Sequence, residues 1–453
     1  MSSRNSSSRE NILAVACALT RFGVCCWRAA HQAVIVDEAS TYNQFVSGPW
    51  RKIFGRYDAN NHILSTLAIK ASVTAGGVSP FTLRLPSLLA GLALTLGVFW
   101  LLKRVESPAF RWTAFAAVCL HPLLMDFSIA ARGYSLSLAL FLWGVHFAWD
   151  KRYLAAGVLA GLAIASNLTI VFPVLALIIA SFDRKALIYL AIPAILIGGG
   201  INYPSLRRAH RDDFYIGYPD LKTAVGSFAF TSLHAIPDHD GILGDERTAN
   251  RIGWIGLPTF AILAGALTLR LARAQRLPFL IFALIMAGLV LARWLFGVNY
   301  PADRTALYFI VIPALAWALA GDALKGRALR MLWLLPMVVL TIQFATQLQT
   351  RYFQFWRVQA DDEMVARLIQ KDSLGKPDAS LRVSSTWIHQ PTLEFYRRVW
   401  DIRAVQPVLR LEPTPLNGFD FYVASGGDYE LARKARLRVV LDDPDIEIVL
   451  AEP

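Results

Sequence analysis

Many apolar runs in this sequence approach the length that crosses a lipid bilayer, and this feature constrains the fold most. A transmembrane helix takes about 20 consecutive apolar residues, and hydropathy places about eleven such segments along the chain. The segments lie near residues 12–34, 85–102, 112–127, 134–149, 153–166, 168–182, 186–201, 252–269, 277–292, 305–321 and 329–346. Because lipid offers no hydrogen-bond partner to an open backbone, such segments fold as helices. The sequence therefore predicts an all-α polytopic membrane protein.

Composition and charge agree with a membrane protein. Of the 453 residues, 55% are hydrophobic and 17% are charged, whereas a soluble protein carries about 25% charged residues. The net charge is +12, yet residues 346–453 hold 14 Lys and Arg against 16 Asp and Glu. The positive excess therefore lies among the apolar segments, where it is typical of topology signals, and we predict no nucleic-acid partner. The four cysteines all lie in apolar segments, without metal-ligand spacing.

Positive charge alternates between successive connections. Lys and Arg are concentrated in compact connections on one side, at residues 103–111, 151–152, 184–185, 270–276 and 325–330. The longer loops 35–84 and 202–251 carry basic residues much more thinly. The positive-inside tendency assigns the basic connections and the N-terminus to the cytoplasm. We therefore expect both long loops and the C-terminal part outside the cytoplasm.

The same pattern predicts two domains. Residues 1–346 form the membrane domain, with outer loops 35–84 and 202–251, and residues 347–453 form a small extracytoplasmic α/β domain. In this tail the pattern predicts helices near 361–371, 391–399 and 428–436 and strands at 381–387, 419–425 and 437–441. Within the first outer loop, residues 60–76 have helix-like apolar spacing with a polar start, which indicates an interfacial helix.

The acid pair Asp37 and Glu38 ends the first apolar run, in the stretch VIVDEASTY at residues 34–42. A partly desolvated carboxylate at this boundary can act as a general base on a hydroxyl group. The simpler alternative is a helix cap or a stop to the span.

Other polar residues share the outer face. Asn61 and His62 open the interfacial segment, and a sugar, a phosphate or a divalent cation would suit them. Asp126 and Arg132 flank an outer turn, where an ion pair between two helices is the structural alternative. Arg304 begins another helix from the outside, and arginine suits phosphate recognition through its planar fork of donors.

Three further features are less easily interpreted. Arg21 and Arg28 lie within the first apolar run, so they either face the protein interior or show that the segment is misplaced. Residues 167–169, NLT, match the N-glycosylation pattern, but a glycan between two apolar segments is implausible. The sequence has no phosphate loop and no HExxH motif, so a nucleotide-driven or zinc-protease function has no support.

Taken together, these motifs resemble a known family. The acid pair after the first helix, the Asn-His segment, FTLRLPSLLAGLALTLGVFWLLKR at 81–104 and ARGYSLSLALFL at 131–142 are similar to GT-C membrane glycosyltransferases. Within that superfamily they resemble the branch of protein O-mannosyltransferases and the aminoarabinose transferase of lipid A, glycosyltransferase family 39 and its relatives. The resemblance covers roughly residues 10–320 and is strongest over 35–145.

The resemblance implies a hexosyl- or pentosyltransferase that moves a sugar from a polyprenyl-phosphate donor, with inversion, to a hydroxyl outside the cytoplasm. Asp37 matches the catalytic base of relatives, with Glu38 beside it. Asn61 and His62 stand where relatives have His-Pro-Pro or Glu-Lys-Pro, although Ile63 replaces the first proline. Arg84 matches an arginine at the outer start of the second helix, and Arg132 matches one in a later turn. Fixed cations such as Arg84, Arg132 or Arg304 would stabilise the negative charge on the leaving phosphate, and we predict that they contact the substrate, together with Asp126.

Partners and location follow from the same resemblance. The implied partners are a polyprenyl-phosphate-linked sugar, a glycan, lipid or protein acceptor, and membrane lipids, in a bacterial inner membrane. The cytoplasmic N-terminus and periplasmic C-terminal domain come from the charge pattern. No cofactor is certain; a divalent cation, Mg²⁺ or Mn²⁺, at Asp37 and His62 is left open.

The sequence is also compatible with three alternative functions. A secondary transporter or flippase would also place charges at membrane depth, but such folds often contain two similar halves, which this sequence lacks. A membrane scaffold whose tail binds a partner is a second alternative. A polymerase or ligase of lipid-linked glycans is a third, although its large outer loop usually comes late in the chain.

Overall fold

The computed structural model describes residues 2–55, 57–181, 183–210, 213–214, 216–237, 239–412, 417–435 and 437–452. Its helices are α1 (Ser2–His31), α2 (Val36–Thr41), α3 (Ile63–Gly76), α4 (Pro80–Leu102), α5 (Pro108–Leu120), α6 (Pro122–Phe127), α7 (Tyr134–Trp149), α8 (Tyr153–Ser166), α9 (Val171–Ser181), α10 (Arg184–Ala186), α11 (Ile192–Leu206), α12 (Leu221–Leu233), α13 (Glu246–Arg251), α14 (Leu257–Thr268), α15 (Leu277–Phe296), α16 (Tyr308–Asp322), α17 (Arg327–Thr346), α18 (Asp362–Ser373), α19 (Gln390–Val399) and α20 (Tyr429–Lys434). The predicted segments 168–182 and 428–436 each end on a residue outside the described ranges.

The helices confirm an integral membrane protein. Among the described residues, seven helical spans are long and apolar enough to cross a bilayer: Ser8–His31, Pro80–Leu102, Arg184–Leu206, Glu246–Thr268, Leu277–Phe296, Asp303–Asp322 and Arg327–Thr346. Five apolar helices are shorter, so the count of about eleven spans is not confirmed. One of the predicted spans, 112–127, is interrupted because His121 is extended and Pro122 begins a new helix.

The chain forms two compact units. The first contains residues 1–27, 54–68 and 85–349, and the second contains residues 28–53, 69–84 and 350–453. The second unit therefore takes in two segments from the early part of the chain together with the tail. The predicted division at residue 346 stays a prediction.

Small residues allow close helix packing in the first unit. A Cβ added to Gly157 of α8 would lie 2.6 Å from the Tyr189 carbonyl oxygen, and one added to Gly198 of α11 would lie 3.1 Å from the Gly161 carbonyl oxygen. Membrane helices approach closely at such positions because no side chain keeps the backbones apart. The small residues of YLAAGVLAGLAIAS thus account for the packing of α8 on α11 and on the helical turn Leu187–Ala191 that precedes it.

Arg21 faces the interior of the first unit. Its guanidinium donates hydrogen bonds to the Cys119 and Leu124 carbonyls, at 3.0 and 2.9 Å, and to the hydroxyls of Thr95 and Ser128, at 3.2 and 2.9 Å. These acceptors belong to α4, the end of α5 and the region of α6. The first apolar run is therefore correctly placed as a helix, and its charge is balanced by hydrogen bonds inside the protein.

The tail of the second unit contains the predicted α/β structure. Its strands are β1 (Val383–Ser385), β2 (Leu409–Arg410), β3 (Phe421–Ser425), β4 (Arg438–Asp443) and β5 (Ile448–Glu452). They form a sheet in the order β2-β1-β3-β5-β4, in which β1 is parallel to β2 and β3, and β5 is antiparallel to β3 and β4. The small α/β tail is confirmed, although β2 and β5 were not predicted.

Candidate functional site

The backbone before Asp37 is held by three buried side chains. The N–H groups of Val34, Ile35 and Val36 donate in turn to Tyr396 Oη, at 3.0 Å, to Glu38 Oε2, at 3.1 Å, and to Gln359 Oε1, at 2.9 Å. The Glu38 contact is one half of a capping box, since a carboxylate at the third helical position accepts the N–H of the residue before the helix. The chain therefore enters α2 in a fixed orientation.

Glu38 forms a fully buried ion pair with Arg84. Arg84 Nε and Nη2 donate to the two carboxylate oxygens of Glu38 at 3.0 and 2.7 Å, and both side chains are 0% exposed. The other three N–H groups of Arg84 donate to the carbonyls of Ala29, Gln32 and Ala33, at 2.7–3.0 Å.

All five donors of Arg84 are thus bound within the protein. A phosphate would have to displace one of these bonds, so the geometry gives Arg84 a structural role. Its predicted contact with substrate stays a prediction.

Asp37 has a different environment from Glu38. Every residue from Gln32 to Thr41 is buried except Asp37, which is partly exposed. Thr41 Oγ1 donates to the main-chain carbonyl of Asp37 at 2.8 Å, which anchors the turn beneath the side chain. Of the two adjacent acids, Asp37 is therefore the more exposed, although one of its carboxylate oxygens, Oδ2, is buried.

Arg132 organises the loop before α3, in the first unit. It is 1% exposed, and it donates to Asn60 Oδ1 at 2.7 Å, to the Asn60 carbonyl at 3.3 Å and to the Ala59 carbonyl at 3.1 Å. Asp58 Oδ1 accepts the Asn60 N–H at 2.7 Å, which tightens the same turn. The loop that presents Asn61 and His62 is therefore fixed by a buried arginine.

His62 packs tightly beside Tyr134 and Gly133. The imidazole and the Tyr134 ring meet edge to face, with centroids 5.3 Å apart, and a Cβ added to Gly133 would lie 2.8 Å from His62 Cβ and 1.9 Å from the Ser166 carbonyl oxygen. Burial, and then the positive charges of Arg132 and Arg304, hold the pKa of His62 well below its usual value of 6.5. His62 is therefore a neutral imidazole at physiological pH.

A cavity of about 690 Å³ lies within the first unit beside this loop. Asn61, His62, Asn167 and Ser205 contribute polar side chains to its wall, and aromatic residues such as Phe172 and Phe296 contribute apolar surface. Its volume is that of a pocket for a small molecule, and such pockets combine an apolar lining with a few polar groups.

Several polar atoms of the cavity wall lack a hydrogen-bond partner among the described residues. They are His62 Nε2, Asn167 Nδ2 and Ser205 Oγ, and the side chains of Asn167 and Ser205 are each only 3% exposed. Buried polar groups are nearly always hydrogen-bonded, so atoms such as these, on residues that line a cavity, are candidates to bind a polar ligand or ordered water.

The structure brings together only part of the predicted set. Asn61 and His62 line the cavity, whereas Arg304 borders a smaller adjoining cavity with Tyr134 and Asn167. Arg132 acts behind the loop, and Asp126 is 4% exposed at the end of α6, where its carbonyl accepts the N–H groups of Ile129 and Ala130. Asp37, Glu38 and Arg84 belong to the second unit.

Sequence reasoning missed Asn167 and Ser205. The NLT stretch was considered only as a glycosylation pattern, but its asparagine caps a short helical turn, with Oδ1 accepting the Thr169 N–H at 2.9 Å, and the residue lines the cavity. The available signal for Asn167 was its polar side chain between the two apolar segments 153–166 and 168–182. Within the described residues, no group of three His, Cys, Asp or Glu side chains could hold a metal ion.

Comparisons with known proteins give the fold. No protein-family profile matches the sequence, and no curated protein matches it. The crystal structure of apo ArnT from Cupriavidus metallidurans aligns over 98% of both chains, with 16% identity and a TM-score of 0.53. The chain therefore has the fold of ArnT, an aminoarabinose transferase of the GT-C class, and the resemblance seen in the sequence is confirmed at the level of the fold.

Two further structures are more distant. ArnT of the same organism bound to undecaprenyl phosphate has a TM-score of 0.41, with 16% identity over 98% of both chains. The mycobacterial arabinofuranosyltransferase AftD has a TM-score of 0.46 and 12% identity, covering 97% of this chain and 41% of AftD.

Proposed function

We propose that this protein is a membrane glycosyltransferase that moves a sugar from a polyprenyl-phosphate donor to a hydroxyl acceptor, with inversion. The observation that carries the proposal is the environment of Asp37, on a chain with the ArnT fold. Asp37 is the partly exposed residue in an otherwise buried segment whose backbone is fixed by hydrogen bonds. A carboxylate held in this way is suited to take a proton from an incoming hydroxyl.

The proposed reaction is a single displacement. The acceptor hydroxyl gives its proton to Asp37 as its oxygen attacks the anomeric carbon, and the bond from that carbon to the phosphate oxygen breaks. The products are the glycosylated acceptor and polyprenyl phosphate, and attack opposite the leaving group inverts the anomeric centre. Glu38 assists indirectly in this proposal, because its ion pair with Arg84 holds the turn that carries Asp37.

We also propose the cavity in the first unit as a binding site for a sugar. Asn167 Nδ2 can donate to a sugar hydroxyl, while Ser205 Oγ and the neutral His62 can accept as well as donate. Positive charge from Arg304 beside the cavity favours a phosphate nearby, since fixed cations stabilise charge that develops on a leaving group. The cavity wall thus contains groups for a sugar, and Arg304 at the adjoining smaller cavity is a candidate for a phosphate.

The lipid carrier and the acceptor are proposed from the fold. ArnT has been crystallised with undecaprenyl phosphate, and we extend that class of carrier to this chain. The acceptor is a hydroxyl on a glycan, a lipid or a protein, reached from outside the cytoplasm of a bacterial inner membrane. Reporter fusions at both termini test the proposed orientation, in which only the C-terminal fusion is active outside.

A divalent cation at Asp37 and His62 stays a separate proposal, because the described residues contain no group of three metal ligands. No step of the proposed reaction uses a metal. Turnover in a chelator tests the cation: a loss that Mg²⁺ or Mn²⁺ restores would support it, and full turnover would contradict it.

The decisive experiment measures release of polyprenyl phosphate by the purified protein. A panel of undecaprenyl-phosphate-linked pentoses and hexoses would be combined with crude envelope acceptors, for the wild type and for Asp37→Asn. We expect turnover by the wild type and a loss of at least about 100-fold in Asp37→Asn, as removal of a general base implies. The melting temperature should change little, because asparagine is nearly isosteric with aspartate.

Other outcomes assign other functions. Equal release by both proteins would keep the enzyme and remove Asp37 from the reaction. No release by a folded wild type would contradict the transferase, and uptake of labelled polyprenyl-phosphate sugar across proteoliposomes would then favour a flippase.

A further inference from the structure

A continuous line of hydrogen bonds runs through the second unit to the residue before Asp37. Ser425 Oγ lies 2.7 Å from His389 Nε2, and His389 Nδ1 lies 2.7 Å from Asp362 Oδ1. Gln359 Nε2 then donates to Asp362 Oδ2 at 3.0 Å, and Gln359 Oε1 accepts the Val36 N–H at 2.9 Å. The four side chains come from β3, the start of α19, the start of α18 and the turn before α18.

The direction of each bond follows from chemistry. An ionised Asp362 carboxylate only accepts, so His389 Nδ1 carries a proton, and in a neutral imidazole Nε2 then accepts from the Ser425 hydroxyl. The Gln359 NH₂ group donates to Asp362 Oδ2 and to the Ile388 carbonyl, the latter at 2.7 Å. Its Oε1 is therefore the atom that accepts the Val36 N–H. Asp362 therefore sets the orientation of the Gln359 amide.

Burial separates this arrangement from a hydrolytic triad. The order Ser-His-Asp is that of serine hydrolases, but His389 and Asp362 are 0% exposed and Ser425 is 8% exposed. None of the three lines the 690 Å³ cavity or a second cavity of about 850 Å³. A nucleophile must reach its substrate, so this geometry suits a rigid internal link better than an active site.

We propose that Ser425, His389, Asp362 and Gln359 form a positioning network that fixes the orientation of Asp37. The network ends on the N–H of Val36, and the neighbouring N–H groups of Val34 and Ile35 are also held by side chains. With these bonds in place, the turn that carries the Asp37 carboxylate cannot rotate freely. The catalytic consequence rests on the proposed function, whereas the physical link does not.

Small displacements of a catalytic group have large effects on rate. A shift of about 1 Å can reduce a rate about 100-fold. Burial also raises the pKa of the Asp362 carboxyl, while His389 and the other donors oppose that rise. The carboxylate is therefore held by its partners, and loss of one partner weakens the whole line.

The test uses the full-length protein and three variants at increasing distance from Asp37: Gln359→Met, Asp362→Asn and Ser425→Ala. Hydrogen exchange of the peptide containing residues 33–41 reports the link, and release of undecaprenyl phosphate from the donor panel reports catalysis. Asp362→Asn is nearly isosteric, so it remains informative if Gln359→Met does not fold.

We expect faster exchange in the 33–41 peptide, largest in Gln359→Met and smallest in Ser425→Ala. The kcat should fall about 10- to 100-fold in Gln359→Met, with KM within about 2-fold, because a displaced base slows the chemical step without changing binding. Two control variants, Ser384→Ala and Gln347→Met, remove equally buried side chains outside the network and should change neither measurement.

Three results would overturn the network. Unchanged exchange in Gln359→Met and Asp362→Asn would show that the line does not hold the segment. Faster exchange with wild-type kcat would show that the segment need not be held for catalysis. Labelling of Ser425 by a fluorophosphonate would assign the three residues to a nucleophilic site. Should the wild type turn over no donor, the transferase proposal fails, and the exchange comparison still decides the physical link.

Discussion

Buried polar groups are treated differently in two regions of this molecule. Around Glu38 and Arg84, in the second unit, all five donors of the arginine are bound to protein oxygens. Along the cavity of the first unit, Asn167 Nδ2 and Ser205 Oγ are just as inaccessible, yet they have no protein partner among the described residues.

We interpret this difference as one between polar groups that stabilise the fold and polar groups placed to bind a ligand. An unmet buried hydrogen bond costs about 1–3 kcal/mol, so a group of such atoms on residues that line one cavity needs an explanation. Arg84 and Glu38 are explained by the fold alone. The cavity atoms are explained once a ligand or water is present, and four substitutions test this contrast.

The largest effect is expected for Arg84→Met, which leaves the Glu38 charge buried without its partner. Breaking a buried ion pair from one side costs about 3–5 kcal/mol, so the melting temperature in detergent should fall sharply. Arg403→Met is the matched control, since Arg403 and its partner Asp401 are 69% and 71% exposed. The double variant Glu38→Gln/Arg84→Met should recover part of the loss, and a single variant as stable as wild type would contradict the contrast.

The next effect is steric. Gly133→Ala would place a methyl group 1.9 Å from the Ser166 carbonyl oxygen and 2.8 Å from His62 Cβ. Overpacking of this kind costs about 1–3 kcal/mol, and it should also lower turnover by moving His62 at the cavity wall. Gly199→Ala, whose new methyl group meets nothing within 4 Å, is the control and should be neutral or stabilising. A Gly133→Ala protein with normal stability and turnover would show that the loop is not tightly packed.

A smaller effect depends on pH. The folded pKa of His62 lies well below 6.5 because of burial and the nearby arginines, so the folded state binds fewer protons than the unfolded state. Stability is then full above about pH 6.5 and falls below it, by at most about 1.4 kcal/mol per pH unit. His62→Gln should remove this pH dependence of stability. Between about pH 7.5 and 5.5, the melting temperature should therefore fall less in the variant than in the wild type. Parallel curves would contradict a neutral His62.

The smallest effect on stability is expected for Ser205→Ala. Its hydroxyl has no protein partner among the described residues, so stability should change by no more than about 0.5 kcal/mol. Substrate binding should weaken, with KM for an active donor rising about 3- to 10-fold, since a ligand hydrogen bond is worth about 0.5–1.5 kcal/mol. Ser181→Ala removes a hydroxyl already bound to the Leu177 carbonyl, and it should leave KM unchanged. An unchanged KM in Ser205→Ala would exclude this atom from the ligand site.

Hydropathy and alternation were sufficient to predict most of the fold. Each of the eleven predicted segments overlaps a helix, because twenty apolar residues have few alternatives in lipid. The amphipathic segment 60–76 corresponds to α3, and the tail strands at 419–425 and 437–441 correspond to β3 and β4. Helix α12 was missed, since LKTAVGSFAFTSL lies within residues 202–251, which were predicted as a loop, and is too short and polar to span.

The candidate site was less predictable, because the role of a charge depends on distant partners. Arg84 suggested phosphate binding until its acceptors, located 46–55 residues away in sequence, became visible. The ion pair with Arg84 likewise distinguishes Glu38 from the adjacent Asp37, and the sequence alone could not make this distinction. Asn167 is the reverse case. Its NLT motif is familiar as a glycosylation pattern, but the residue lines the cavity of the first unit.

The placement of Arg21 has a consequence for how the protein is made. Its four acceptors, on residues 95, 119, 124 and 128, are synthesised 74–107 residues after it. At about 5–20 residues per second, the first helix waits about 5–20 s on the ribosome before these partners exist. During that interval a guanidinium stands in a nascent membrane helix with none of its final hydrogen bonds. The early stage of biogenesis therefore requires that α1 be kept at the insertion machinery, or near water, until α4 to α6 arrive.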